Sequence, residues 1–310
     1  MKIDQLQTEQ RNQKTLHLDA LSAYEIVQIM NEEDQKVISA VHQATDKIAE
    51  AVTIITACLK AGGRLIYIGA GTSGRLGILD AVECVPTFST DKVIGLIAGG
   101  NNAFIKAVEG AEDDEQLGKQ DLEELNICEN DAVVGIAASG RTPYVIGALK
   151  YANRCGAHTI SLSCNLQSEI AKYATTTIEV DAGAEVLSGS TRLKAGTAQK
   201  MILNMLSTAS MVGIGKVYGN LMVDMKATNQ KLVERAHHIV MTATSCSYEQ
   251  AKAVLIHTDY KIKPAIIMIQ NHCTLKEAIQ DLQEHDEKVR QCIQSPSSVK
   301  RGIKEWEKLM

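Results

Sequence analysis

The chain is 310 residues long, enough for one large domain or a medium domain with an appendage, and 45% hydrophobic with 22% charged residues describes a soluble globular protein. A net charge of −5 and an aromatic share of 4%, with one Trp and two Phe, argue against a basic, base-stacking surface for nucleic acid. No apolar run approaches the ~20 residues that span a bilayer, and the first residues show no apolar leader, so neither nucleic acid nor membrane is an expected partner and the cytoplasm is the expected location.

Residues 1 to about 20 are polar and weakly patterned and read as an arm, with Asp19 or Ser22 as the cap of the first helix. From Ser22 to Lys60, apolar residues recur near helical spacing (Ile26, Ile29, Val37, Val41, Ile48, Val52, Ile55, Leu59). That pattern predicts two helices, broken near Asn31 to Asp34. The period then changes. Strand-length apolar runs fall at Leu65–Ile68, Val93–Ala98, Ala132–Ala138, Thr159–Ser163 and Thr176–Val180, most of them separated by helix-length segments. Strands alternating with helices imply βαβ units and a parallel sheet. Near-continuous apolar strands suit a sheet covered on both faces. The expected fold class is therefore α/β, a doubly wound five-stranded parallel sheet of flavodoxin-like order 2-1-3-4-5.

The first strand empties into Gly69-Ala-Gly-Thr-Ser-Gly-Arg75, with a helix expected from near Leu76. A strand, a tight loop and a helix start bring backbone N–H groups and short hydroxyls together around an anion. The loop lacks a GxxxxGK[ST] pattern, and hydroxyls fill the interior of its GxGxxG spacing. It reads as a phosphate cradle for a small ligand rather than a nucleotide loop. An ordinary βα turn would look similar, but a second loop of the same kind, Ser139-Gly-Arg-Thr-Pro143, follows the third strand. In the 2-1-3-4-5 order the first and third strands are neighbours at the switch point, where ligands bind. A third loop, Leu187-Ser-Gly-Ser-Thr-Arg192, opens a long helix, where Ser190 or Thr191 is either a helix cap or a donor to the ligand.

Beyond Gly219 the pattern reads as helical to the end. Ser247 with Gln250, and Thr274 with Glu277, have capping-box spacing. Three short helices between about 246 and 292 read as a small bundle, and 295–310 as a tail. The expected domains are 1–52 (arm and helices), 53–220 (the sheet domain) and 221–310 (helical region with the bundle). Eight scattered cysteines without a CxxC pair read as reduced thiols, mostly buried. His237-His238 reads as a solvated helix face rather than a metal site.

Two acidic stretches lie near the proposed pocket in sequence: Asp80-Ala-Val-Glu83, and Glu109 to Glu115. Alone they would pass for solvated faces. At this point the chain resembles the N-acetylmuramic acid 6-phosphate etherases, a branch of the sugar isomerase (SIS) domain superfamily, over almost its whole length. The segments that carry the resemblance are Thr8–Asn12, Gly69–Gly77, Glu83–Thr87, Gly95–Gly100, Ala107–Asp113, Ala137–Tyr144, Lys194–Lys200 and Gly219–Asp224. The family also resembles glucokinase regulatory proteins, which bind sugar phosphates without turning them over. The resemblance implies that Glu83 and Glu112 are the catalytic pair, with Glu83 the acid and Glu112 the base. It implies that Ser73, Ser139 and Thr142, with Thr72 and Gly140 of the same loops, bind the substrate phosphate. Ser190, Thr191 and Lys194 are further candidate substrate contacts. The chain departs from the family pattern at Gln10, Val82 and Val85, the last two flanking Glu83.

The implied reaction removes D-lactate from C3 of a 6-phospho amino sugar by elimination and water re-addition, with no metal or redox cofactor. Two carboxyls in different environments would divide the acid and base work. If the helix from Ser73 is continuous, Glu83 lies about 15 Å along it from the cradle, so a homodimer with a shared site is expected. The alternative is a non-catalytic sugar-phosphate regulator of the glucokinase regulatory protein type.

Overall fold

The computed structural model describes residues 6–106 and 108–294; the expected tail at 295–310 lies outside the described residues. The chain divides into two compact units, one comprising the residues up to Val82 with Lys92–Ser210, the other Glu83–Asp91 with the residues from Met211 onward.

In the first unit, residues 6–20 are packed rather than a loose arm. They form 3-10 turns at Gln7–Glu9, Gln13–Thr15 and Leu18–Ala20. Asn165 accepts the Gln7 N–H at 2.7 Å and donates to the Thr8 hydroxyl at 3.1 Å, while Thr15 donates to the Val186 carbonyl at 2.8 Å. Short polar side chains bonded to distant loops hold this segment, and no hydrophobic period announces such pairing. Helix α1 (Ala23–Gln43) starts at Ser22, which closes a capping box with Glu25. It runs straight through Asn31–Asp34, where a break was expected. The polar residues there do not end the helix because Glu33 turns inward and is fully buried. The break falls at Ala44, before α2 (Thr45–Lys60).

The sheet then forms in the expected order. Its elements are β1 (Leu65–Gly69), α3 (Gly71–Phe88), β2 (Val93–Ile97), α4 (Asn102–Ile105), α5 (Glu115–Glu124), β3 (Ala132–Ala137), α6 (Pro143–Arg154), β4 (His158–Ser163) and β5 (Thr176–Glu179). All pairings are parallel, in the order β2-β1-β3-β4-β5. β1 and β3 are buried at every position, as strands covered on both faces must be. α3 begins at Gly71, five residues earlier than expected. Glycine makes that early start possible: a Cβ at Gly74 would lie 2.6 Å from both the Gly69 carbonyl oxygen and Ile97, so the helix grows directly off the strand. α7 (Lys194–Gly213) follows the third loop.

The second unit opens with a small hairpin, β6 (Val217–Tyr218) and β7 (Leu221–Met222), turned at Gly219 with φ +61°. This replaces the helix expected there. Five helices follow: α8 (Gln230–Thr244), α9 (Tyr248–His257), α10 (Ile262–Asn271), α11 (Leu275–Glu284) and α12 (Val289–Gln294). α10 is buried from Ile262 through Ile269 and forms the centre, packed with Val240, Val254, Leu255, Ala278 and Leu282. Ser247 and Thr274 close the two expected capping boxes. His237 is buried edge-on against the Tyr248 ring at 5.0 Å, whereas His238 is exposed, so only one of the pair lies on a solvated face. All eight cysteines are free. No described helix is long and apolar enough to cross a membrane.

Glycine also sets the approach of α5 to α6. A Cβ at Gly147 would overlap the Glu115 carbonyl, and one at Gly118 the Tyr144 carbonyl. Backbone cannot retreat as a side chain can. Gly147→Ala is expected to cost about 2–3 kcal/mol in urea unfolding, at the upper end of overpacking penalties; an unchanged midpoint would show that the two helices separate freely.

Candidate functional site

Three loops at the carboxyl ends of the central strands build the site of the first unit. After β1, the chain enters α3 at Gly71 (φ +52°), so Thr72 and Ser73 occupy a helical first turn, whose N–H groups the helix itself does not use. The positive end of the helix dipole lies at the same place. Arg75 is not free to meet a ligand with its whole guanidinium, because it donates to the carbonyls of Ala103 at 2.8 Å and Phe104 at 3.0 Å. It ties this turn to α4.

After β3, Ser139 and Gly140 lead into α6. Gly140 has φ +71°, and a Cβ there would overlap Ser168, so no other residue fits. Thr142 occupies the cap position of α6 with Pro143 at the first helical position, yet its hydroxyl makes no capping bond. That hydroxyl remains available to a ligand.

After β2, Gly110 (φ +77°) turns the chain into a 3-10 turn at Ala111–Asp113 that carries Glu112. Glu112 lines two adjoining hollows. One, of about 220 Å³, is bounded by Ala70, Gly71, Arg75, Ala98, Val108 and Glu109. The other, of about 390 Å³, is bounded by Leu6, Glu9, Ser139, Arg141, Thr142 and Pro143. One carboxylate thus stands between the two glycine-and-hydroxyl loops, in a hollow that the N-terminal segment helps to wall. A roomier cavity of about 580 Å³ lies wholly within the second unit, and none of the candidate site residues line it. The chemistry points to the smaller pair.

Ser73, Glu83, Ser190, Thr191 and Lys194 line neither hollow. Ser73 is buried, and its hydroxyl donates to Gln199 Oε1 at 3.0 Å. Ser190 and Thr191 do not cap α7 with their side chains; their carbonyls accept from Leu193 and Gly196. Glu185 caps that helix, taking the N–H groups of Lys194 and Ala195 at 2.9 Å each. Burial pushes the Glu185 carboxyl above its ordinary range, against the pull of those two N–H groups and of Lys194. Lys194 is 1% exposed, and its ammonium is taken up by Glu33 at 3.0 Å and the Ala182 carbonyl at 2.9 Å. It braces the third loop against α1 rather than reaching outward. Glu83 lies on the exposed side of α3, within the second unit, its carbonyl accepting from Thr87. Both Glu83 and Glu112 are exposed in the single chain, so neither has the buried setting expected of an acid partner.

Sequence reasoning missed Glu33, Glu185 and Gln199. Gln199 sits inside a helical stretch, where a polar residue usually faces water, and Glu33 in the polar stretch where a helix break was expected. Asp80 belongs with them: its carboxylate accepts from Tyr67, Asn204 and Ser207 at 3.0, 2.6 and 3.2 Å in the α3–α7 seam. Among the described residues no group of His, Cys, Asp and Glu is arranged to hold a metal ion.

The chain matches the SIS domain over residues 115–209, the glucokinase regulatory protein N-terminal SIS domain over 47–153 and that protein's C-terminal lid domain over 219–264. The N-acetylmuramic acid 6-phosphate etherase of Bacillus mycoides is 58% identical over 90% of this chain and 96% of its own length. That of Bacillus cereus is 58% identical over 91% of this chain and 97% of its own. A phosphoheptose isomerase structure from Neisseria gonorrhoeae aligns with 61% of this chain and 98% of its own, at 16% identity and a TM-score of 0.49. The family matches and the two etherase relatives show that the protein is an SIS-fold α/β protein and that it belongs to the N-acetylmuramic acid 6-phosphate etherase family.

The Glu33–Lys194 pair offers a test of what braces the site. Burial works against the Glu33 charge, but bonds from Lys36, Lys194 and Asn12 outweigh it and hold the carboxyl down at about 2. Its contribution to stability is present in full above the ordinary value of 4.5 and is lost as pH falls from there toward 2. Glu33→Gln is expected to lower stability at pH 7 by about 3 kcal/mol, since Lys194 is left buried and unpaired. The gap between variant and wild type should close as the pH is lowered below 4.5. Urea titrations at pH 7, 4 and 3 check both statements.

Proposed function

We propose that this chain is an N-acetylmuramic acid 6-phosphate etherase, a carbon–oxygen lyase that releases D-lactate from C3 of its substrate and leaves N-acetylglucosamine 6-phosphate. The observation that carries the reading is the position of Glu112. It lines one hollow with Gly71 and Arg75 and another with Ser139 and Thr142, so a carboxylate stands between two anion-binding loops.

An ether is a poor electrophile, and direct displacement at C3 would be slow. In the open-chain aldehyde, the C2 proton lies next to a carbonyl and is acidic. Glu112 takes that proton. The electron pair forms the C2–C3 double bond as the C3–O bond breaks, and Glu83 protonates the departing lactate oxygen. Water then adds at C3 of the unsaturated aldehyde, its hydroxyl going to C3 and its proton returning to C2. Each positioned acid or base contributes ~10²–10⁴-fold. The phosphate, held by the Ser73, Ser139 and Thr142 loops with Thr72 and Gly140, supplies remote binding energy that aligns C2 and C3 with the carboxyls. Ser190 and Thr191 are left as contacts to the sugar. The reaction needs no metal or redox cofactor, and it belongs to cytoplasmic turnover of cell-wall amino sugar.

α3 is unbroken from Gly71 to Phe88, so Glu83 stands about 15 Å along its axis from Ser73 at 1.5 Å per residue. A six-carbon sugar phosphate does not span that distance. We therefore take the acid to come from a second copy of the chain, in a homodimer with a shared site.

Incubation with N-acetylmuramic acid 6-phosphate should release D-lactate. Glu112→Gln and Glu83→Gln are each expected to cut kcat at least ~10²-fold, whereas Ser139→Ala should mainly raise KM. Tight sugar-phosphate binding without lactate release would favour the regulator reading, and interconversion of an aldose and ketose phosphate would favour an isomerase. For the shared site, Glu83→Gln chains mixed with Ser139→Ala chains should recover activity through hybrids; no recovery would count against it.

A further inference from the structure

The seam between α3 and α7 holds buried polar groups at two levels, and one of them is only half satisfied. Gly196, Gln199, Leu203 and Ser207 recur along one face of α7. At Gly196 that face lies against α3, where a Cβ would be in ordinary contact with the Thr72 methyl at 3.6 Å. One helical turn on, Gln199 is fully buried, and its Oε1 receives the Ser73 hydroxyl hydrogen at 3.0 Å. Its Nε2 is buried and has no partner. Further along the seam, the Asp80 carboxylate accepts from three side chains.

A serine hydroxyl has one hydrogen. While Ser73 spends it on Gln199, the hydroxyl presents only lone pairs to anything else, and lone pairs repel a phosphate. A half-turn of the Gln199 amide reverses the polarity of the contact. Nε2 then donates to Ser73 Oγ, the unpaired buried donor is satisfied, and the serine hydrogen is released. The carbonyl oxygen left over is the cheaper group to leave without a partner. Both orientations keep one hydrogen bond between the same two side chains and differ in its direction and in which amide atom lacks a partner, so a dianion that takes the serine hydrogen favours the second.

We propose that Gln199 is a positioning residue of the phosphate site, whose amide orientation decides whether Ser73 can donate to a phosphomonoester dianion. The inference rests on the phosphate grip at Ser73 described under the proposed function. It adds a residue of α7 that touches no substrate and acts only through the serine.

The experiment uses the full-length chain, with N-acetylglucosamine 6-phosphate as the calorimetric probe and steady-state kinetics alongside. Gln199→Met removes the hydrogen bond and keeps the bulk. It should weaken probe binding and raise KM about tenfold while kcat stays within twofold, a split that loosened packing would not give. The isosteric Gln199→Glu, assayed at alkaline pH where its carboxylate is ionised, can only accept from Ser73, so it should bind the probe more weakly still; it also serves if the Met variant folds poorly. In a Ser73→Ala background, Gln199→Met should add less than a twofold further loss. The proposal is overturned if Gln199→Glu binds as wild type, or if the Met loss adds in full to that of Ser73→Ala. Wild-type affinity in Ser73→Ala itself would remove the phosphate grip and this inference with it. Impaired Ser73→Ala beside a normal Gln199→Glu would remove only the inference.

Discussion

β1 and β3 lie side by side in parallel, in register from Leu65 opposite Ala132 to Gly69 opposite Ile136. The candidate phosphate loops leave the carboxyl ends of these two strands, and that adjacency is what lets one ligand meet both. In an open α/β sheet the chain winds outward in opposite directions from such a pair, leaving a crevice that no helix covers. β2, on the far side of β1, sends its own loop back toward the same crevice with Glu112. Glycine makes the approach close: Gly74 lets α3 start against the end of β1, and Gly140 lets the second loop turn beneath Ser168. A side chain at either position would push one of these turns outward by more than the tolerance of a hydrogen bond.

The seam behind that crevice carries a set of buried polar bonds. Tyr67, Asn204 and Ser207 all point donors at Asp80, while Gln199 meets Ser73 seven residues earlier on α3. An apolar seam tolerates a small slide of one helix along another, whereas a carboxylate matched to three donors does not. The Glu33–Lys194 pair and the Glu185 cap do the same for the third loop, holding it to α1 and to the first turn of α7. The first turn of α3 therefore stands against a backing of polar bonds, the Ser73–Gln199 contact among them.

This division explains how much could be read from the sequence. The five strands, their order and the two main loops were legible because hydrophobic period and glycine-hydroxyl turns are local properties of the chain. The Ser22, Ser247 and Thr274 caps were legible for the same reason. Long-range polar pairs were not. Residues 6–20 pack through Asn165 and Val186, more than 150 residues away in the chain. Glu33 sits where a solvated turn was expected because its partner Lys194 arrives from the other end of the domain. Ser190 looked like a cap, yet Glu185, which precedes the loop, reaches the helix first. His237 passed for a surface residue because its neighbours come from later in the chain, Tyr248 from α9 and Tyr260 from the turn before α10.

The exposed side of α3 fits the same physical account. Leu79, Val82 and Val85 are 46%, 59% and 50% exposed and recur every three residues, with Glu83 beside them. Three aliphatic side chains left on one stretch of helix form the kind of surface that another chain covers. Two of them, Val82 and Val85, are the departures from the family pattern that flank the proposed acid. In the homodimer reading, covering this stretch would both dry the acid and carry it to the neighbouring chain's Glu112, so assembly and catalysis would draw on the same few residues of α3.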